Sequence, residues 1–493
     1  MNTSNIQFDF KKFNIEPEDI KSEKDKLLKK SKASLHSEIL DLLIQQLKPL
    51  DFEALANPYN TENFKLNSRH LLVLSIENIL NVMTNNHWGL CKNQDFIYLY
   101  NGVFWKEIDK ETFQKFLGEA SEKLGVTKFT ARYYQFREQL FKQFLATAYL
   151  PTPESDEDKV LINLLNGTFE ISSKGTKIRP FNQMDFITYQ LPFEYNPTAT
   201  APLFDAYLNR VLPDKNSQKV LSEYLGYVFL KHGNSLKLES ALILYGLGAN
   251  GKSVFFEIVN ALLGKDATSS YSLQELTDNT GYYRAMIANK LVNYSSEING
   301  KLEVDMFKRM VSGEVIPARL PYGKPMQLTQ YAKFIFNCNE LPKDVEYTNA
   351  YFRRWIIIPF NVTIPKSEQD TELHTKIINN ELSGVFNWVL GGLKRLLDQK
   401  RFTECDSINK ALEKYRIESD SIQMFLNDAG YKVSLINDIP LKELFNEYRS
   451  YCIDSGFKSC SLRTFADRLR HSGYTIERRN FGNSIGAEKI SLF

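Results

Sequence analysis

Apolar and polar positions alternate along this chain with two different periods, and the switch between them outlines its elements. Ala241–Tyr245 is an unbroken apolar run that reads as a buried strand. Val254–Leu263 is apolar at helical spacing and stops at Gly264, a good helix end. Further apolar strands are predicted at Leu291–Tyr294, Phe334–Phe336 and Trp355–Pro359. Helical patterns surround them at Phe204–Lys231, Tyr282–Ala288, Phe386–Leu397 and Ile408–Tyr415. Strands separated by helices, with polar residues at strand ends, predict an α/β sheet with its site along one edge.

The flanks read differently. Upstream, helices are predicted at His70–Met83 and Phe113–Leu124. Between them FIYLYNGVFW, Phe96–Trp105, reads as two aromatic strands around the Asn101-Gly102 turn. Those rings suit a core more than a base-stacking face. Asn166-Gly167 marks a second turn, between Val160–Leu165 and Thr168–Ile171. Downstream, helices at Leu441–Tyr451 and Leu462–Leu469 precede short strands at Thr475–Arg479 and Lys489–Phe493, about the turn Gly482-Asn483. Helix, helix, hairpin is a winged-helix pattern. At the start, the Lys/Glu/Asp run Lys21–Lys32 reads as a solvated face rather than a DNA-binding arm. Leu35, Ile39, Leu42, Leu43 and Leu47 then mark a helix able to dock. The expected division is a charged helical segment (1–65), an α+β domain (66–200), an α/β domain (201–400), a helical connector (401–438) and a winged helix (439–493).

Composition narrows the classes. A length of 493 residues suggests about three domains. The net charge is +2, so any nucleic-acid surface must be local. Cys91, Cys338, Cys405, Cys452 and Cys460 show no C-x₂-C spacing, which predicts neither zinc nor a disulfide framework and fits a reducing cytoplasm. The start of the chain has no signal-peptide apolar core, and no run is long enough to span a bilayer. A soluble cytoplasmic protein with no membrane partner is the expectation. No cluster of metal-binding carboxylates of the kind a primase needs precedes Leu203; Glu154–Asp158 follows two prolines and reads as a loop.

The chemistry lies between the first strand and its helix. Gly246-Leu247-Gly248-Ala249-Asn250-Gly251-Lys252-Ser253 matches G-x-x-x-x-G-K-[ST]. Glycines let successive N–H groups face one centre, and the helix N-terminus adds its dipole there. Lys252 is expected at the β- and γ-phosphates of ATP, with Ser253 on Mg²⁺. Hydrolysis also needs a carboxylate, a polar group sensing the γ-phosphate and a cation for the transition state. Glu297, Asn339 and the pair Arg353/Arg354 stand at strand ends in that order, with Glu297 sharing the metal.

Over about 205–400 the chain resembles the superfamily 3 helicases of phage, plasmid and poxvirus primase-helicases. Gly246–Ser253 matches the first motif and Lys290–Glu297 the second, although Ser296 stands where the family commonly has another acid. Lys308–Pro325 resembles the DNA-contacting segment, with Arg319 matching and Lys324 on a pore hairpin. Phe334–Pro342 resembles the third motif, with Asn339 as sensor, and Phe352–Phe360 the arginine-finger motif. The resemblance implies an AAA+-like P-loop NTPase, a homo-hexameric ring and an arginine reaching the neighbour's ATP. It also implies translocation on single-stranded DNA in the replication of a mobile element within a bacterial host, beside a separate primase or initiator.

Two other readings compete with a helicase. A P-loop kinase leaves Asn339, Arg354 and the tail unexplained. A DNA-binding initiator whose ATPase drives assembly shares every residue above. In the tail, residues 455–493 carry seven Lys and Arg against three carboxylates. Arg463, Arg468 and Arg470 fall on or just after the recognition helix of a winged helix, and Arg478 and Arg479 on its wing, so duplex DNA is the expected partner.

Overall fold

The computed structural model describes residues 36–93, 96–148, 159–172, 175–296, 298, 303–321, 323–342, 347–480 and 482–489. The first unit joins helices α1 (His36–Gln46), α2 (Phe52–Ala56) and α3 (Ser68–Asn85) to an antiparallel sheet. Its strands are β1 (Gly89–Asn93), β2 (Phe96–Tyr100) and β3 (Trp105–Ile108); helices α4 (Lys110–Lys123), α5 (Lys128–Arg132) and α6 (Tyr134–Thr147) follow. Asn67 caps α3 by accepting from the amides of Arg69 and His70, and Asp109 caps α4 by accepting from Thr112 N. Ile39, Leu43 and Leu47 bury their side of the α1 segment in one core with Ile76, Ile79, Phe113 and Phe116. The run Lys21–Lys32 and Leu35 lie outside the described residues.

Strand β2 is buried on both faces, and its alternation assigns each face a partner. Ile97 and Leu99 pack on the helices, whereas Phe96, Tyr98 and Tyr100 pack towards the central sheet. The aromatic hairpin is therefore core, as expected.

A second antiparallel sheet, β4 (Val160–Leu164), β5 (Gly167–Ser172) and β6 (Gly175–Arg179), places Ile162 and Phe169 in the same core as Phe386. The helix expected over Phe204–Lys231 is two, α7 (Pro202–Val211) and α8 (Lys215–Tyr227). Pro213 supplies no N–H to continue the first, and Asp214 caps the second by accepting from Asn216 N.

The central elements follow: β7 (Ala241–Tyr245), α9 (Lys252–Leu263), β8 (Thr268–Ser269), α10 (Leu273–Thr277), α11 (Tyr282–Ala285) and β9 (Val292–Ser295). Next come α12 (Val304–Val311), the hairpin β10 (Ile316–Arg319) and β11 (Pro325–Leu328), β12 (Lys333–Cys338), α13 (Asn349–Phe352), β13 (Trp355–Pro359) and the long α14 (Leu373–Gln399). The five-stranded sheet runs β13-β7-β12-β9-β8 with every neighbouring pair parallel. It is covered on both faces, as parallel sheets are. Leu242, Leu244 and Ile358 share a core with α9 and α14; Ala241, Ile243 and Ile357 share one with the aromatic hairpin and α12. Gly226 lets α8 approach α14 closely, since a Cβ there would lie 2.7 Å from Leu393 Cα.

The tail contains α15 (Asp406–Glu418), α16 (Ser421–Asp428), β14 (Tyr431–Pro440), α17 (Leu441–Ser455), α18 (Leu462–His471), β15 (Ile476–Arg479) and β16 (Gly482–Lys489). Its sheet has the order β14-β16-β15. The last strand differs from expectation: Gly482 and Asn483 lie in β16 rather than in the turn, because β16 pairs with β15 and with the unanticipated β14. Residues 490–493 lie outside the described residues. Leu444, Tyr448, Phe465, Leu469 and Ile485 form the tail's core, to which Phe425 and Tyr431 also contribute.

Candidate nucleotide site and arginine edge

The phosphate-binding motif occupies the turn from β7 into α9. Two residues take left-handed backbone, Ala249 at φ 58° and Gly251 at φ 87°, and they curl the loop. Neighbouring strand ends pin it from both sides. Gly246 N donates to Cys338 O at 3.0 Å, Phe360 N to Tyr245 O at 2.7 Å and Ile364 N to Ala249 O at 2.8 Å. Asn250 Nδ2 donates to Phe360 O at 3.1 Å and to Leu247 O. Gly246 has no room for a side chain: a Cβ there would lie 2.4 Å from Phe360 O. From beneath, Tyr207 of α7 donates its hydroxyl to Gly251 O at 2.9 Å, a support that the motif itself does not announce.

Lys252 is buried, with Nζ donating to Gly246 O and, at 3.1 Å, to Asn250 Oδ1. Burial pushes its ammonium below the ordinary lysine range. Gly248, Ala249 and Ser253 are exposed at the mouth. The first turn of α9 carries no acidic residue, so the positive end of the helix is unopposed. A cation, an open helix N-terminus and an exposed hydroxyl fit a triphosphate with its Mg²⁺. Among the described residues no group of three or more His, Cys, Asp and Glu could hold a metal by itself. Glu297 lies outside the described residues.

Asn339 is exposed immediately after Cys338, whose carbonyl anchors the phosphate loop, so it stands on the loop's side of the sheet. Asn337, two residues earlier, is buried and accepts from Tyr294 Oη at 3.0 Å.

The arginine pair does not share that edge. Trp355 is paired with Ala241 and Pro359 with Tyr245 in parallel register, so residues preceding β13 meet the start of β7. Arg354 O accepts from Ala241 N at 2.8 Å. At about 3.3 Å per residue the strand separates the pair from the loop by roughly 15 Å. The expectation of one shared edge is corrected for Arg353 and Arg354: they occupy the opposite one. Their side chains also differ. Arg354 is 9% exposed and Arg353 59%. Arg354 Nη2 donates to Ser312 Oγ at 2.8 Å and Nη1 to Ala350 O, and both guanidinium groups lie near Glu239, at 3.5 and 3.6 Å.

The hairpin β10–β11 carries Arg319 and Lys324 on its exposed end. Arg319 Nε donates to Gly323 O at 3.0 Å. Its base is held by Arg284, a buried residue that sequence reasoning passed over, donating to Pro317 O at 2.8 Å and Leu276 O at 2.9 Å.

In the tail Arg463, Arg470, Arg478 and Arg479 are exposed; Arg470 pairs with Asp467 at 2.7 Å and Arg479 with Asp438 at 2.8 Å. Arg468 departs from the expected DNA-facing set. It pairs with Asp420, and its guanidinium lies 4.3 Å from the centre of the Tyr347 ring, so it ties α18 to the segment after β12.

The chain matches the family described as D5 N terminal like over residues 78–213, and a family of unknown function, DUF5906, over residues 244–354. It is similar to a helicase-named protein of Acanthamoeba polyphaga mimivirus, L207/L206, at 27% identity over 256 residues. That alignment takes in 48% of this chain and 26% of the relative, so the chain corresponds to about a quarter of the relative's length. With these matches the chain is similar to the phage-type primase-helicases. Two structures of the NrS-1 C-terminal region align at 14% and 15% identity, with TM-scores of 0.46 and 0.45, over 84% of this chain and 98% of theirs. Among the described residues no helix is long and apolar enough to cross a membrane.

Proposed function

We propose that the chain is an ATP-dependent DNA helicase of superfamily 3. It would hydrolyse ATP between the subunits of a homo-hexameric ring and translocate on single-stranded DNA during replication of a phage, plasmid or other mobile element in a bacterial cytoplasm. The observation that carries this is the separation of the phosphate loop from Arg353 by the length of a strand. An exposed arginine on the edge away from its own nucleotide can serve the nucleotide of a neighbour, and a ring repeats that contact at every interface.

Residue roles follow. Gly246, Gly248, Ala249, Asn250 and Gly251 form the cradle, Lys252 neutralises the β- and γ-phosphates, and Glu297 orients water. Mg²⁺, held with Ser253 and Glu297, would offset charge on the phosphate oxygens. Asn339 senses the γ-phosphate and Arg353 is the finger. Arg319 and Lys324 track a single-strand backbone, a sequence-independent contact suited to translocation. The helix–helix–hairpin order of 439–493, closed by β14, supports a winged helix that meets duplex DNA through Arg463, Arg470, Arg478 and Arg479. The proposed domains are those expected from the sequence with two boundaries moved: α1 and α2 share the core of α3 to α6, and β4 to β6 share the core of α9 and α14, which supports a first domain ending near residue 148.

A forked duplex with one labelled strand tests the reading. ATP should drive strand displacement by the wild-type chain, and Glu297→Gln should bind ATP without displacing the strand. ATP turnover with no displacement on any fork polarity would replace the helicase with an ATP-driven assembly factor.

A further inference from the structure

The junction of α5 and α6 exposes three aromatic rings that the nucleotide site and hairpin leave unused. Phe129 is 89% exposed, Tyr134 67% and Tyr133 50%. Phe129 and Tyr133 stand four residues apart, and the rings of Tyr133 and Tyr134 meet edge to face at 5.0 Å. They are not overflow from a loose core: Ala131, Phe136, Leu140 and Phe144 of the same two helices are buried beneath. Water-facing rings in such a group mark a binding surface.

The surrounding charge selects the partner. Residues 119–142 contain Lys123, Lys128, Arg132, Arg137 and Lys142 against Glu119, Glu122 and Glu138, a local surplus of two positive charges. Arg132 pairs with Glu122 at 2.9 Å and Lys142 with Glu138 at 2.9 Å. Both are surface pairs, weak enough for a phosphate to displace the carboxylate. Along residues 127–139 the other exposed side chains are Thr127, Lys128, Arg132, Gln135, Glu138 and Gln139, none of them aliphatic. By contrast, Leu435 and Ile436 on β14 form an exposed aliphatic pair of the kind a protein partner covers. Flat π-faces beside cations suit unpaired bases and their phosphates.

We infer that the face bearing Phe129, Tyr133 and Tyr134 binds single-stranded DNA, its rings stacking bases and Lys128 and Arg132 holding the backbone. This shares with the proposed function the premise that the chain handles a single strand. It concerns a separate surface and needs no nucleotide.

The test uses the full chain without ATP and a labelled oligo-dT, read by fluorescence anisotropy. Phe129→Ala/Tyr134→Ala should weaken binding about fivefold or more, the scale of one lost stacked base, while Tyr134→Phe binds as wild type. Lys128→Ala should lower the log–log salt slope by about one. Bromodeoxyuridine oligonucleotides should crosslink to the peptide containing Tyr133 and Tyr134. Lys324→Ala serves as the parallel arm: if the hairpin does not bind DNA, that variant binds normally while the ring variant still fails. Unchanged affinity in a double variant that melts normally, with no crosslink to that peptide in the wild-type chain, would overturn the inference. So would unchanged affinity with a lost oligomer, which would make the rings a contact between copies.

Discussion

The two edges of the central sheet each carry a buried lysine and a conspicuous loop, yet they are built for different tasks. At the edge where β7 ends, Lys252 is bonded, among the described residues, to parts of its own loop, beside exposed Gly248 and Ser253. At the edge where β12 begins, Lys333 donates to His232 Nδ1 at 2.9 Å and lies 4.7 Å from the centre of the Tyr227 ring. His232 in turn meets Tyr331 O at 3.0 Å, and Tyr331 Oη donates to Glu314 O at 2.7 Å, next to the hairpin. One lysine can exchange its partners for phosphate; the other is enclosed by structure. The arginine pair repeats the lesson within one edge, with Arg354 enclosed and Arg353 exposed. The two lysines are equally buried, so what encloses the cation, not its exposure or its residue type, separates the two edges; within the arginine pair exposure does.

The strongest way to break this comparison is Lys252→Ala. ATP turnover should fall below detection, because the phosphates lose the cation of the loop. The melting temperature should hold within a few degrees, since the loop's backbone bonds remain. Near-normal turnover by the folded variant would remove the phosphate-loop assignment. Arg353→Ala comes next. Turnover should drop about a thousandfold, the lower end for an arginine finger, with ATP binding unchanged because the residue lies on the far edge. Mixing it with Lys252→Ala should restore part of the activity, as some interfaces gain an intact loop and an intact finger. A mixture no better than the sum of its parts would place the arginine's role inside its own chain.

Much of this architecture is legible in the amino-acid sequence. Ala241–Leu263 can be read because its strand, turn and helix are fixed by adjacent residues. The side on which Arg353 falls cannot, since it depends on the pairing of Trp355 with Ala241 across more than a hundred residues of chain. The break at Pro213 is available in principle; Asp214 is a good helix cap and Pro213 a poor helix residue. Strand β14 is hidden because its register shifts between Val433 and Asp438, which leaves Leu435 and Ile436 in solvent and destroys the alternation. Arg468 looks like its neighbours in sequence, and only its contact with Tyr347 reveals a structural post.

Arg354→Ala sharpens the contrast within the pair. Removing an enclosed guanidinium takes from Ser312 Oγ and Ala350 O the Arg354 donor and from Glu239 one of its two arginine partners. A loss of about 3 kcal/mol in denaturant unfolding is expected, the scale for breaking a buried charged contact. Arg353→Ala should cost less than about 1 kcal/mol, as exposed pairs do. Equal losses in the two variants would erase the distinction between finger and scaffold.

The smallest effect concerns Lys333. Burial, with no carboxylate meeting its amine among the described residues, pushes its pKa from 10.5 down to about 7. The unfolded chain keeps that proton to about pH 10.5 while the folded chain gives it up near 7, so folding releases a proton between those values. Stability therefore rises with pH across the window. Burial also keeps His232 well below its ordinary value, which extends the same sign to lower pH. Cys91, Cys338 and the buried tyrosines, raised by burial, retain protons that the unfolded chain loses from about pH 9, and they pull the other way. Between pH 7 and 8.5 the Lys333 contribution should add up to about 2 kcal/mol. Urea unfolding of the full chain at several pH values in that interval checks it, with Lys333→Met as the reference. The wild type should gain stability with pH more steeply than the variant. Parallel slopes would mean that Lys333 stays charged in the folded protein, and the sheet would then carry a protonated lysine at both edges.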